Sequence, residues 1–304
     1  MDINQKAIEL LEENKYEESL ELFQEAVKIS RDIQSLTNLA WIYCYEEYDD
    51  SKALDLLEEA VCMNPESHFP FNLLGEVYLR FEKWENAKDI LEKSITIHPT
   101  KMALNNLGVA HYHLGNLKAA SDYFLLGSEP SDWAMYSYVK CLIELGNINE
   151  AKLKLNTFSE KDDEFVGEVD VADLYVELNC HKEAVLWFEK GWNVYAKDPN
   201  WISRYVYSLV NLNNPTRAQE IINETIIEKN EEIKEMYEEE CDEDWTESDK
   251  QERIKDLLDE KKEYEQIFIR VSEGYIPKMK FETSIQTACY LFGCKLHNHP
   301  EYQK

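Results

Sequence analysis

Apolar and small residues along the chain recur at three- and four-residue intervals, in pairs of short segments separated by turns. The clearest pair lies between Phe71 and Pro99. The small and large residues that define this pair are Leu74, Gly75, Tyr78, Ala87, Leu91 and Ser94. Spacing of this kind places apolar side chains on one face of a helix, and a proline directly after the second segment prevents further helical propagation. The pattern predicts two antiparallel helices over this stretch.

The same pattern returns along most of the first 225 residues. Pro65 and Pro99 lie 34 residues apart, and so do Ala184 and Ala218. A globular bundle can carry the same small and large residues, but a sustained period of 33–34 residues is typical of stacked repeats. We count seven such units. Each is a helical hairpin that is too small to bury its apolar stripe alone, so neighbouring hairpins must stack.

The motif Leu74-Gly75, Tyr78, Ala87, Ser94 and Pro99 resembles the pattern of the tetratricopeptide repeat family, and the resemblance extends from about residue 2 to about residue 225. It implies an all-α fold, a right-handed α-solenoid of about seven helical hairpins whose first helices line a concave groove. We therefore predict a superhelical domain over residues 1–225. Residues 226–304 are predicted to form an acidic C-terminal helical extension that caps the solenoid.

In the resembling family, polar and aromatic side chains on the first helices contact an extended peptide. The positions that this geometry places on or near the groove are Asn38, Trp41, Tyr45, Asn72, Asn105, Asn106, Tyr112, Tyr136, Lys140, Arg204 and Tyr207. An asparagine amide both donates and accepts, so it can match a peptide backbone of any sequence. Asn38 and Asn106 occupy equivalent positions, and Leu73 interrupts the series between them. The alternative is that these asparagines are ordinary exposed helix residues.

Beyond the repeats, a long helix is predicted from Thr216 to Tyr237, and another begins after Thr246, which can cap its N-terminus. Between Glu228 and Lys250 there are twelve acidic residues and three basic ones. A solvated helix face or loop is the usual explanation of such a run, and a surface that meets a basic partner is the other. The residues assigned to this acidic surface are Glu235, Glu238, Glu239, Glu240, Asp242, Glu243 and Asp244.

Charge and composition narrow the partner class. The chain carries 61 acidic and 32 basic residues, for a formal charge of −29. Such a field repels nucleic acid and anionic lipid and favours basic partners, although solubility alone also explains an acidic surface. We expect a protein or peptide partner, for which a basic character is one of the alternatives, and no nucleic acid, membrane or small-molecule substrate. The seven scattered cysteines and the absence of a signal peptide or long apolar run predict a cytoplasmic protein.

No motif supports catalysis, so we expect no enzyme activity, no cofactor and no metal. Asp242, Asp244 and Thr246 resemble the start of a calcium loop, but Glu247 stands where the loop needs glycine and Arg253 replaces its closing glutamate. Four residues near the C-terminus are metal-ligand types whose spacing is unlike a common zinc site: Cys289, Cys294, His297 and His299.

These observations favour an adaptor or scaffold that binds a polypeptide segment or partner protein in the concave groove. The alternative is an inhibitor of the immunity or antitoxin kind, which masks a basic partner enzyme through its acidic surface. Both are binding modules, and a repeat alone does not choose between them.

Overall fold

The structure is a computed structural model that describes residues 2–296. Fifteen α-helices account for its regular structure, and no β-strand occurs among the described residues. The predicted all-α fold class is confirmed. The contacts divide the chain into two compact units: the first holds residues 2–129, 133–145 and 283–296, and the second holds residues 130–132 and 146–282.

The first unit contains nine helices. They are α1 Ile3–Glu12, α2 Tyr16–Ile29, α3 Ile33–Tyr45, α4 Asp50–Cys62, α5 Phe69–Arg80, α6 Trp84–Ile97, α7 Lys101–His113, α8 Leu117–Gly127 and α9 Trp133–Glu144. Consecutive helices from α1 to α8 pack as four hairpins, and α9 packs on α8. Side chains at the N-termini of α3 and α7 fix where these helices begin, since Asp32 accepts from the Ser35 N–H and Thr100 from the Ala103 N–H.

The second unit contains six helices. They are α10 Ile148–Leu155, α11 Glu168–Glu177, α12 His181–Gly191, α13 Pro199–Asn211, α14 Pro215–Glu238 and α15 Glu247–Ser272. α11 packs on α12 and α13 on α14 as hairpins, and the long α15 packs on both α13 and α14. The number of repeats and the domain boundary at residue 225, which falls inside α14, stay predictions.

The repeat glycines lie where paired helices approach most closely. A Cβ at Gly108 would stand 2.7 Å from the ring of Phe124, and a Cβ at Gly75 would stand 2.5 Å from Leu91. The closest approach to backbone is at Gly127, where a Cβ would lie 2.8 Å from both the Asn105 nitrogen and the Lys101 oxygen. Because interiors are close-packed, these sites have no room for a larger residue. The small positions of the sequence repeat thus set the spacing between helices.

The C-terminal part of the chain begins as expected and then departs from expectation. Thr246 forms a capping box with Asp249 at the start of α15, and the fully buried Tyr264 of α15 donates to the Lys197 carbonyl. α15 thus covers α13 and α14, as the predicted cap requires. After Ser272, however, the described residues contain no further helix, and the chain continues as an irregular segment.

Candidate functional site

The last described residues of the chain lie along its own first helices. We call residues 283–296 the tail, and we call the surface formed by Asn38 of α3, Asn72 of α5, and Asn105 and Asn106 of α7 the asparagine face. Both belong to the first unit. The tail starts at α7, where the Thr283 hydroxyl lies 3.0 Å from the His113 Nε2, and its hydrogen bonds end on α3 at Phe292. It therefore runs against the order of the helices.

Two asparagines hold the tail backbone with the same pair of hydrogen bonds. The Asn38 Nδ2 donates to the Phe292 carbonyl at 3.1 Å, and its Oδ1 accepts from the Phe292 N–H at 2.8 Å. The Asn106 Nδ2 donates to the Gln286 carbonyl at 2.7 Å, and its Oδ1 accepts from the Gln286 N–H at 2.8 Å. The tail contributes only backbone atoms to these contacts, so the contacts do not depend on which side chain the contacted tail residue carries.

The spacing of these contacts matches the spacing of the repeats. Asn38 and Asn106 are two repeats apart on the helices, and the residues they contact are six apart in the tail. Six extended residues span at most about 20 Å, and packed helices lie about 8–10 Å apart. Three extended residues therefore cover roughly one repeat. This match lets one extended segment meet equivalent asparagines on successive repeats.

The two remaining asparagines of the face contribute differently. The Asn105 Nδ2 donates to the Ser284 carbonyl at 2.8 Å and thus adds a third contact to the tail backbone. Asn72 accepts a hydrogen bond from the Ser94 hydroxyl, and its amide is 3.5 Å from the Thr100 hydroxyl. Trp41, also on α3, points its Nε1 at the Ala288 carbonyl from 3.5 Å, at the limit of hydrogen bonding.

All four asparagines are buried, each at most 1% exposed. The alternative that they are ordinary exposed helix residues is therefore wrong for this structure. The physical reason is the tail, whose carbonyl groups accept hydrogen bonds from the amides of Asn38, Asn105 and Asn106. The Asn105 Oδ1 is buried without a hydrogen-bond partner among the described residues.

A tyrosine of the tail enters a pocket between the helices. Tyr290 is 2% exposed, and its ring centroid lies 5.5 Å from that of Phe69 on α5. Its hydroxyl and the Oε1 of Glu76 on α5 are both buried without a hydrogen-bond partner among the described residues, and the two groups are close enough to shift each other's pKa. The other carboxylate oxygen of Glu76 accepts from the Tyr45 hydroxyl. The pocket thus combines an aromatic wall with a buried carboxyl group.

The electrostatics of this pocket follow from burial. Loss of solvation raises the pKa of Glu76 to about 8, although the neighbouring hydroxyls of Tyr45 and Tyr290 and the charge of Arg80 act in the opposite direction. The Arg80 Nη1 is 3.9 Å from Glu76, and its guanidinium binds Asp50 in a bidentate pair at 2.7 and 2.8 Å. Burial and the Glu76 carboxylate together raise the pKa of Tyr290 far above its ordinary value.

Two further side chains anchor the end of the tail in the hydrophobic core. Leu291 and Cys294 are 3% exposed and pack with core residues of α1 to α3, including Ile8 and Leu36. Between them, Gly293 adopts a φ of 93°, a conformation that favours glycine. The tail is therefore held by backbone hydrogen bonds along its length and by apolar anchors near its end.

The other predicted groove residues of the first unit lie on α7 and α9. The Tyr112 hydroxyl donates to Glu144 at 2.9 Å, and the Lys140 ammonium forms an ion pair with the same carboxylate at 2.5 Å. Tyr136 is buried on α9 and packs edge-on against Trp133. The hydrogen bond between Tyr112 and Glu144 connects α7 with α9.

The second unit places Arg204 in a buried ion-pair network on α13. Its side chain is fully buried, with Nε 2.6 Å from the Asp173 carboxylate and Nη2 2.9 Å from Glu177. The third nitrogen, Nη1, donates to the Pro277 carbonyl at 3.0 Å. Burial raises the pKa of Asp173 to about 6 even though Arg204 opposes this shift. Tyr207, one turn further on α13, is half-buried and packs edge-on against a histidine ring.

The predicted acidic surface lies in the second unit, at the end of α14 and in the connection to α15. All seven of its residues are exposed. Asp242 has a local role, since its carboxylate accepts from the Asp244 and Trp245 N–H groups and shapes the turn. A surface of this kind offers negative charge to solvent but no enclosed site.

No group of three potential metal ligands comes together among residues 2–296. His297 and His299 lie outside the described residues, so the hypothesis of a Cys/His metal site is not addressed by the structure. Within the same described range, no helix combines the length and the apolarity needed to cross a membrane.

The sequence analysis missed the tail as a ligand of the asparagine face. One signal was present, because residues 283–294 form a twelve-residue stretch without a charged side chain in a chain that is 31% charged. Such a stretch after the end of a helix is suited to burial against another surface. The sequence did not indicate that the surface covering this stretch would be the chain's own first helices.

The fold defines a protein of stacked helical hairpins, and comparisons with known proteins agree. A family model described as "Tetratricopeptide repeat" matches residues 102–125, which cover α7 and most of α8. The chain therefore contains a tetratricopeptide repeat over these residues, and its all-α fold is that of tetratricopeptide repeat structures. No curated protein matches its sequence at a significant level.

Solved structures show the same fold at low sequence identity. The C-terminal part of a TPR repeat-containing protein from Cytophaga hutchinsonii is 16% identical, covers 74% of this chain and 94% of its own length, and superposes with a TM-score of 0.57. PilW, a type IV pilus biogenesis factor, is 17% identical, with coverages of 62% and 90% and a TM-score of 0.52. A tetratricopeptide repeat protein from Parabacteroides merdae is also 17% identical, with coverages of 80% and 93% and a TM-score of 0.50.

Proposed function

We propose that the protein is a protein–protein interaction module that holds an extended polypeptide segment of a partner across the asparagine face. The observation that carries this proposal is the paired donor and acceptor contact that Asn38 and Asn106 each make with one backbone residue of the tail. Because these contacts use backbone atoms, a segment from another protein can make them equally well. The role requires no catalytic group and no cofactor.

The register of the face supports an extended ligand over a helical one. Equivalent asparagines two repeats apart contact residues six apart, a spacing that extended chain provides. Six residues of α-helix rise only about 9 Å, roughly half that distance. A helical partner would therefore meet one of the two asparagines but not both in the same register.

The test uses full-length bait proteins in affinity capture with mass spectrometry. We expect the double variant Asn38→Ala/Asn106→Ala to lose partners that the wild type retains. The matched control is Asn86→Ala, which removes an exposed amide from α6. Partner capture that is the same for the face variant and the control would remove the asparagine face from the proposed function.

The acidic surface supports a second candidate, an inhibitor that masks a basic partner. Its seven exposed carboxylates present negative charge without buried partners. Binding of this kind should weaken steeply as salt rises, and it should be reduced by Glu238→Gln/Glu239→Gln/Glu240→Gln but not by the asparagine variants. A partner that binds equally at low and high salt would exclude this candidate.

A further inference from the structure

The tail occupies the surface that the proposed function assigns to a partner. It accepts hydrogen bonds from the amides of Asn38, Asn105 and Asn106, and these side chains are buried. A partner segment can reach the same amides only after the tail has left. The occupancy of the face by the tail therefore bears on both the regulation and the selectivity of binding.

The tail binds largely through contacts that another segment can replace. Its hydrogen bonds to the asparagine face involve backbone carbonyl and N–H groups of Ser284, Gln286 and Phe292. It joins the preceding helix through residues 273–282, which are non-helical and largely exposed. A segment tethered in this way competes at an effective concentration that is typically in the millimolar range for short flexible connections.

Selectivity must come from side chains, since the backbone contacts fit any sequence. The most enclosed side chain of the tail at the asparagine face is Tyr290, which packs on Phe69 and directs its hydroxyl toward Glu76. The Glu76 Oε1 and the Tyr290 hydroxyl are both buried without a hydrogen-bond partner among the described residues, so each is suited to pair with the other. A tyrosine fills the aromatic space and supplies a hydroxyl that can pair with the Glu76 carboxyl group, whereas phenylalanine fills only the space.

The position of this pocket fixes a register. Tyr290 precedes the residue contacted by Asn38 by two positions and follows the residue contacted by Asn106 by four. A ligand that makes both amide contacts therefore places one defined residue in the pocket. The asparagines fix the register of the bound segment, and the pocket determines which side chain is accepted at one position of it.

We propose that residues 283–294 are an internal ligand of the asparagine face, and that the partner is an extended segment which displaces them by presenting its own tyrosine to the Phe69–Glu76 pocket. This inference rests on the proposed function and adds to it the chemistry of the partner and the competition that regulates it. In the resting chain the tail covers the face, and a partner binds as the tail is released. The apparent affinity for the partner is the intrinsic affinity multiplied by the fraction of molecules whose face is uncovered.

The experiment uses full-length protein and a fluorescent peptide of residues 281–296 under reducing conditions. A variant with a weakened tail, Tyr290→Ala/Leu291→Asp, loses the pocket side chain and a core anchor while keeping the asparagine face. We expect this variant to bind the peptide at least about tenfold more tightly than the wild type, whose face is covered. Helical circular dichroism verifies that the variant is folded, and Tyr290→Ala alone replaces it if helix content is lost.

Three further arms separate the inference from the proposed function. On the weakened-tail protein, a peptide with Tyr290→Ala should bind at least about tenfold more weakly, and a peptide with Tyr290→Phe should lose a smaller factor. Adding Asn38→Ala/Asn106→Ala to the weakened-tail protein should abolish binding of the native peptide.

The outcomes distinguish the two proposals. Binding that depends on the asparagines but is equal for the native and Tyr290→Ala peptides overturns selection by the pocket and leaves the proposed function intact. Equal affinity of the wild-type and weakened-tail proteins overturns competition by the tail. Binding that persists without Asn38 and Asn106, or no binding to the weakened-tail protein at all, contradicts the proposed function together with this inference.

Discussion

Two regions of the molecule hold backbone of the same C-terminal segment, and they do so with different chemistry. In the first unit, neutral amides of Asn38 and Asn106 each exchange a pair of hydrogen bonds with a tail residue. In the second unit, the charged Arg204 donates to the Pro277 carbonyl while it is held by Asp173 and Glu177. Both regions were predicted as parts of one groove, yet their energetics differ.

The difference separates an exchangeable contact from a fixed one. An amide that loses its backbone partner costs about 1–3 kcal/mol if it stays buried and unpaired, and less if water replaces the partner. A buried guanidinium that loses a carboxylate leaves an uncompensated charge, which costs about 3–5 kcal/mol. We infer that the amide contacts are suited to ligand exchange, whereas the Arg204 network is suited to structural support of the second unit.

The largest expected effect is that of Arg204→Met. Removing the guanidinium leaves Asp173 and Glu177 without their buried cation, so the free energy of unfolding should fall by about 3–5 kcal/mol. Urea denaturation followed by circular dichroism measures this change. Arg31→Ala is the control, because it breaks an exposed ion pair with Glu59 that should contribute less than about 1 kcal/mol. Similar losses in the two variants would contradict a special role for the buried network.

A smaller effect is expected for Asn38→Ala. The variant leaves the Phe292 N–H and carbonyl without partners, so the free energy of opening the tail should fall by about 1–3 kcal/mol. Hydrogen–deuterium exchange of residues 284–294 reports this opening, and exchange in α11 to α15 should be unchanged. Asn86→Ala, on the exposed face of α6, should leave the tail protected. Unchanged tail exchange in Asn38→Ala would mean that the amide pair does not hold the tail.

The close contact between α7 and α8 offers a further test, with an expected effect similar to or smaller than that of Asn38→Ala. In Gly127→Ala the new Cβ would lie 2.8 Å from backbone atoms of Asn105 and Lys101, so α8 must move away from α7. We expect a net loss of about 1–3 kcal/mol in the free energy of unfolding, because overpacking outweighs the gain in helix propensity. Thermal denaturation measures the loss, with Asn86→Ala again as control. A stabilised Gly127→Ala protein would show that the contact can relax.

The sequence was informative where function depends on periodicity. The repeat period and the positions of Leu74-Gly75 and Leu107-Gly108 predicted the hairpins, and equivalence in the repeat singled out Asn38 and Asn106. These residues follow from local rules, since helix spacing and close helix contacts leave a mark at each repeat. In the structure these asparagines hydrogen-bond the backbone of the chain's own tail, and their contact with a partner stays a prediction.

The sequence was uninformative where a contact joins distant segments. Asn38 and Phe292 are 254 residues apart, and no periodicity relates them. Residue type gave no indication of the partners of Arg204 either, because many carboxylates in this acidic chain were equally available to it. Glu76 was likewise not singled out from the sequence, and the structure shows that it is fully buried.

The smallest expected effect is a pH dependence of the tail, which tests whether the Tyr290 pocket differs electrostatically from the rest of the face. The groups that act on Glu76 are Tyr45, Tyr290, Arg80 and Asp50. Its pKa is about 8 when the tail covers the asparagine face, which we call the closed state, and near 4.5 when the carboxyl group is solvated. Between pH 4.5 and pH 8 the closed state therefore binds one more proton than the open state. Stability of the closed tail should therefore be greatest below about pH 4.5 and should fall as pH rises toward 8, by at most about 1.4 kcal/mol per pH unit.

Hydrogen–deuterium exchange of the tail at pH 6 and pH 8, corrected for the intrinsic exchange rates, measures this dependence. In Glu76→Gln the titrating group is absent while the side chain keeps its size, so the opening free energy should be nearly the same at the two pH values. The asparagine contacts carry no titrating group, so a residual dependence in Glu76→Gln must arise elsewhere in the chain. A wild-type tail that closes more tightly at pH 8 than at pH 6 would reverse the predicted sign, and with it the view that a protonated Glu76 stabilises the occupied pocket.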